Sequence, residues 1–264
     1  MRLFNFDKKS EEKPLQDADL KNWGAAHIVN ALGPFWAMLG FDSEQKILDE
    51  IKEGLNGKPI LKSIIRKAEI VIAEKDNGPL SYNTCLLNGS VITFFPKVKS
   101  KSVFPVVITE VREMGNLFEA FAEIKVGSAT LIVFLTDYLI NKEKYTKGAA
   151  VNLALGGIAF NGEPSDIQKK TFERDGKPLK VTKDFAGIFP NNPSLALYSA
   201  IGSVDNEKKF ELHKENLGYF RMKIINQPNV FIDLIGLEKN IKFSSNKEQQ
   251  LFCNFWIQAN IAKE

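Results

Sequence analysis

The chain has only two histidines and two cysteines among its 264 residues. A structural zinc site takes about four Cys or His ligands and a catalytic one about three protein ligands. The composition therefore excludes most metal- and thiol-dependent chemistry, and neither metal nor cofactor is expected. A dominant charge is also missing: 35 basic against 32 acidic side chains leave a net charge of +3, too little for a chain whose main work is neutralising phosphates. Long apolar runs are absent as well. The stretch 25–41 is interrupted by His27, Asn30 and Gly33-Pro34, and it falls short of the roughly 20 apolar residues that cross a bilayer. The first residues run into Lys8, Lys9, Glu11 and Glu12 without the apolar core of a signal peptide, so an intracellular, cytoplasmic protein with no membrane partner is expected. Phosphate-cradling motifs are lacking too. Gly57-Lys58 and Gly176-Lys177 are each followed by proline instead of Ser or Thr, and no G-x-G-x-x-G occurs.

What is present is a globular balance of 44% apolar and 25% charged residues. The first 80 residues read as helical, with apolar positions at three- and four-residue spacing. Leu20, Trp23, Ile28, Leu32, Phe35, Trp36 and Leu39 mark one helix that Gly33-Pro34 kinks or divides. Ile47, Leu48, Ile51 and Leu55 mark a second, capped by Asp42 or Ser43 and ended by Gly54 as a left-handed terminator. A third is expected over 59–68, with 70–73 as its tail or a strand. After residue 80 the pattern is β. Asn88-Gly89 between apolar runs is a hairpin signature, because Asn and Gly adopt the positive φ of a type I′ turn at little cost. Strands follow over 106–113, 117–126, 130–138 and 151–160. In the second of these Phe118, Ala120, Ala122 and Ile124 face a core, while Glu119, Phe121, Glu123 and Lys125 face mostly water. Residues 161–194, with four prolines and no sustained apolar period, read as a linker or long loop. The β pattern then resumes over 195–204, 209–213, 218–225, 230–237 and 250–261.

The two β segments share an order. Each has a strand carrying an aspartate, Asp137 or Asp233, then a polar excursion, then a closing strand that ends 23 residues later in one and 28 in the other. A meander of short antiparallel strands, a polar excursion and a closing strand resembles the OB-fold, a five-stranded, partly open barrel. Periodicity and this resemblance over 81–261 together predict an α+β chain: a helical N-terminal region (1–80), a first OB-like barrel unit (81–165), a linker or long loop (166–194) and a second unit (195–264), the two units being separate barrels or one composite β domain. OB-folds bind single-stranded nucleic acid or oligosaccharides, or hold proteins together, so the fold alone does not choose a function.

No catalytic set is nominated. Asp137 and Asp233 sit among large apolar residues, where desolvation raises a carboxyl pKa. They are read as structural acceptors of backbone N–H, with an acid role as the alternative. His27 is placed beside Trp23 in a core and His213 on a surface strand. The most basic stretch, Lys169, Lys170, Arg174, Lys177, Lys180 and Lys183 with Phe172 among them, is either a solvated linker or an electrostatic groove with a stacking ring. Sixteen of the 20 phenylalanines follow residue 90, where filling a barrel explains them better than stacking bases. Phe121, Tyr138, Tyr219 and Phe220 are the exceptions to inspect. By subtraction, the expected function is a non-enzymatic binding module whose partner is a protein. Weak single-stranded nucleic-acid binding and a carboxylate-only enzyme are the alternatives.

Overall fold

The structure, a computed structural model, describes residues 36–41, 43–65, 67–165, 184–243 and 250–262, with 172–174, 177–179 and Asn206 by backbone alone. His27 and the first helical stripe up to Phe35 lie outside the described residues. Among the described residues strands dominate, with one complete α-helix, so the architecture is α+β.

Helix α1 (Glu44–Leu55) starts where Ser43 accepts the Lys46 N–H at 3.4 Å, and Ile47 and Ile51 form its buried stripe. Gly54 does not terminate it in a left-handed conformation. It lies inside the last turn, and a Cβ there would collide with Thr84 and Phe94 of the sheet below. Its role is close approach, and the cap falls to Asn56.

The helix expected over 59–68 is instead strand β1 (Lys58–Ile65), followed by β2 (Ala68–Asn77), β3 (Leu80–Leu87) and β4 (Ser90–Val98) in an antiparallel sheet of order β1-β2-β3-β4. β-Branched Ile60, Ile64 and Ile65 favour the strand, and Lys67 at φ 69° makes the tight return to β2. Tertiary pairing with β2 overrides the helix-like spacing. The Asn88-Gly89 turn has the positive φ values its sequence predicts, 49° and 77°. On the face that α1 covers, Trp36 stacks on Phe94 at 4.8 Å between ring centroids.

A closed five-stranded barrel follows. It contains β5 (Val103–Glu113), β6 (Ala120–Val126), β7 (Ala129–Leu135), β8 (Ala150–Ser165) and β16 (Gln250–Ile261). β5 pairs with β6 and β8, β6 with β7, β7 with β16 in parallel, and β16 with β8. Ala120, Ala122, Ile124 and Val126 point inward, as the alternation predicts. The barrel draws its last strand from the far end of the chain. Gly156-Gly157 does not end β8, which continues to Ser165. The pair lies where β8 crosses β16, and a Cβ on Gly157 would stand 2.5 Å from the Trp256 carbonyl.

Between β8 and β16 come the short hairpin β9 (Phe172–Arg174) and β10 (Lys177–Leu179), then β11 (Gly187–Asn192), β12 (Leu197–Gly202), β13 (Val204–Leu212), β14 (Glu215–Ile225) and β15 (Val230–Leu237). Strands β11 to β15 extend the barrel into one ten-stranded sheet of order β11-β12-β16-β7-β6-β5-β8-β15-β14-β13. Gln258 ties the four-stranded sheet to the barrel: its amide accepts from Val98 N–H at 3.1 Å and donates to the Pro96 carbonyl at 2.7 Å. Among the described residues no helix is long and apolar enough to cross a membrane.

Candidate functional site

Asp233 sits inside β15, and Asp137 lies just beyond the end of β7. Asp233 is fully buried. Its Oδ2 accepts from Lys101 N–H at 2.7 Å, Ser102 N–H at 3.1 Å and the Ser100 hydroxyl at 2.9 Å, and its Oδ1 from Arg221 Nε at 3.2 Å. Burial, with Asp233 alongside, pushes the Tyr219 phenol up to about 12. Asp137 is also buried. It accepts from the Tyr145 hydroxyl, from Asn141 Nδ2 at 2.7 Å and from Ile261 N–H at 3.1 Å. Both carboxylates hold backbone in place, Asp233 at the connection between the two sheets and Asp137 at the last residue of β16.

Burial nevertheless outweighs these bonds at Asp137 and holds its carboxyl above the ordinary 3.8. Between 3.8 and that raised value the folded chain keeps a proton the unfolded chain has lost, so this group's contribution falls as pH rises through the window. Urea titrations of wild type and Asp137→Asn at steps from pH 4 upward should show the wild type losing stability relative to the variant as pH rises. A flat difference would contradict the assignment.

Glu119 departs from its expected solvated place. It is buried, accepting from the Thr93 hydroxyl and from Asn116 Nδ2 at 3.1 Å, because β4 packs over the turn before β6. Glu123, half-buried, accepts from the Thr109 hydroxyl at 2.6 Å. His213 is not in a strand: it makes the β13–β14 turn at φ 50°, with Nε2 2.7 Å from buried Glu50 of α1 and Lys75 Nζ on the other Glu50 oxygen at 3.2 Å. Among the described residues no three His, Cys, Asp or Glu side chains gather as metal ligands.

The four aromatic side chains singled out are all engaged. Phe121 is buried against Phe134, with ring centroids 5.5 Å apart, and Phe134 meets Phe95 of β4 at 5.3 Å. Tyr138 donates to Glu113, and Phe220 packs on Phe243 at 5.1 Å. Tyr219 is the half-buried neighbour of Asp233. Of the basic stretch, Lys169, Lys170, Lys180 and Lys183 lie outside the described residues, and Phe172, Arg174 and Lys177 fall on β9 and β10, described by backbone alone.

A feature not found from the sequence is the edge at β1. Among the described residues β1 pairs only with β2, and Ile64 is 76% exposed, the most exposed of the large hydrophobic residues there. Its direction follows from the ladder. Glu69, opposite Ile64, bonds Asn88 through both backbone groups, at 2.8 Å each, so they point toward β3. In an antiparallel pair the backbone groups of facing residues alternate sides. Those of Ile64, and of Lys62 opposite Val71, therefore point away from β2 into the open edge. The run Ile60, Leu61, Ser63, Ile64, Ile65 was the available signal, hidden by its helix-compatible spacing.

No known protein family matches the chain, and neither a curated protein nor a solved structure matches it.

Proposed function

We propose that the chain is a non-enzymatic, cytoplasmic binding module whose partner is a protein, built on one OB-like unit used twice. The observation that carries the functional reading is the β1 edge, where backbone groups of Lys62 and Ile64, unpaired among the described residues, adjoin an exposed isoleucine. Such edges are where proteins add strands to one another. Two further observations support it. The outward face of β6, where an OB-like barrel would stack bases, carries Phe121, which is buried against Phe134. Asp137 and Asp233 spend their oxygens inside the fold, on backbone amides, on the Tyr145 and Ser100 hydroxyls, on Asn141 and on Arg221. Cys85 and Cys253 are buried free thiols, in keeping with a reducing compartment.

The OB-like reading rests on strand order. The barrel closes as first, second, third, fifth, fourth strand, with the third and fifth parallel, a Greek-key closure of the OB kind. A second path has the same form. β12 and β13, joined at Ser203, pair with β16 and β14 respectively; β14 pairs with β15, β15 with β8 in parallel, and β8 with β16. In this reading β8 and β16 exchange roles as fourth and fifth strand, which would knit the two units together.

The test is the nature of the native partner. In extract of the source cells the chain should run in a particle larger than itself that nuclease leaves intact. Collapse of that particle under nuclease would instead favour the nucleic-acid alternative and the stretch from Lys169 to Lys183.

A further inference from the structure

We propose that β1 receives an extended acidic segment of another protein, which adds as a fifth strand to the four-stranded sheet; this rests on the protein-binding reading above. Three observations converge on this edge. Lys62 and Ile64 direct both backbone groups into it, so an incoming antiparallel strand would exchange paired N–H···O bonds with each. Ile64 supplies the apolar anchor: it lies on the same face of the sheet as α1 yet stays exposed, beside half-buried Val71 across β2. Charge complementarity fixes the chemistry: residues 58–67 contain Lys58, Lys62, Arg66 and Lys67 and no Asp or Glu. Lys62 does reach Glu69 of β2 at 3.1 Å, but that pair is exposed, and an incoming carboxylate can compete for it.

The other edges differ. β4 lies against the barrel through Val98 and Pro96. β13 carries Asp205, Glu207, Lys208, Lys209 and Glu211, a mixed charge pattern that discourages pairing, and β11 contains Pro190, which has no N–H to give. β1 has its proline, Pro59, near its start, leaving six residues with one charge among them.

The experiment uses the full chain and an array of random synthetic heptapeptides as the probe. The bound peptides should be rich in Asp, Glu and β-branched residues and poor in proline. Ile64→Asp should lower their binding by about tenfold or more, as expected for loss of an apolar anchor and addition of a like charge beside the ligand, while Val107→Asp on exposed β5 should leave it unchanged. Thermal melting checks that both variants fold. Absence of bound peptides, a bound set without acidic bias, or equal binding by Ile64→Asp would overturn the proposal. So would sedimentation showing a dimer of the chain that Ile64→Asp dissolves, or slow hydrogen exchange of the Lys62 and Ile64 amides in the chain alone, since a second copy or the chain's own N-terminal residues would then hold the edge. If any of these occurs while the native particle survives nuclease and holds a second protein, the acidic-strand proposal falls and the protein-binding reading stands. If the particle collapses, the reading itself falls.

Discussion

Asp233→Ala is expected to lower the unfolding free energy by about 3–5 kcal/mol, the usual cost of removing one partner from a buried charged network. The carboxylate is fully buried and holds four donors: two backbone N–H groups, the Ser100 hydroxyl and Arg221 Nε. Alanine would leave these donors without their acceptor, and Arg221 would lose its countercharge. The loss is also local to a joint. Residues 100–102 connect β4 of the first sheet to β5 of the barrel, so freeing them loosens the attachment of one sheet to the other. Urea unfolding should show a lower midpoint, and the Lys101 and Ser102 amides should exchange faster than in wild type. A change under about 1 kcal/mol would mean the network is not anchoring the joint.

Gly202→Ala is expected to be comparably damaging, at about 4 kcal/mol, in the range reserved for severe overpacking. A Cβ at Gly202 would overlap the backbone carbonyl oxygen of Lys223 in β14, and no flexible side chain is there to yield. The same approach carries the 3.0 Å bond from Lys223 N–H to the Ser203 carbonyl, where β12 passes into β13. Either β12 or β14 must shift, and that bond goes with it. Gly78 is the control: its φ of 70° is left-handed but nothing lies within 4 Å of its Cβ position, so Gly78→Ala should cost only about 1–2 kcal/mol of backbone strain. Melting the two variants side by side separates collision from strain. Equal losses would show that the β12–β14 approach relaxes freely.

Elements that local physics decides are legible in the sequence. Ser43 with the Ile47 and Ile51 stripe gave the helix, Asn88-Gly89 gave the turn, and alternation in β6 gave the barrel interior. Signals that depend on distant partners were not legible. Nothing in 250–261 announces that β16 lies parallel to β7, because a pairing across more than a hundred residues leaves no periodicity of its own. Apolar residues at 60, 61, 64 and 65 suit a helix as well as a strand, and only the register with β2 resolves β1. The alternation around Glu119 predicts a solvated side chain, whereas Thr93 and Asn116, its partners in the buried site, come from other elements. Asp137 and Asp233 stand out for their apolar surroundings, but their backbone partners, Ile261 for one and Lys101 and Ser102 for the other, are invisible from either sequence position.

The mass of the native particle, measured by light scattering on material captured gently from extract of the source cells before and after nuclease, tests the central claim most directly. The expected result is a mass above the 29.6 kDa of the chain, unchanged by nuclease and accounted for by a second protein. A particle of the chain alone, or one that falls to the chain's own mass when nucleic acid is digested, would contradict it.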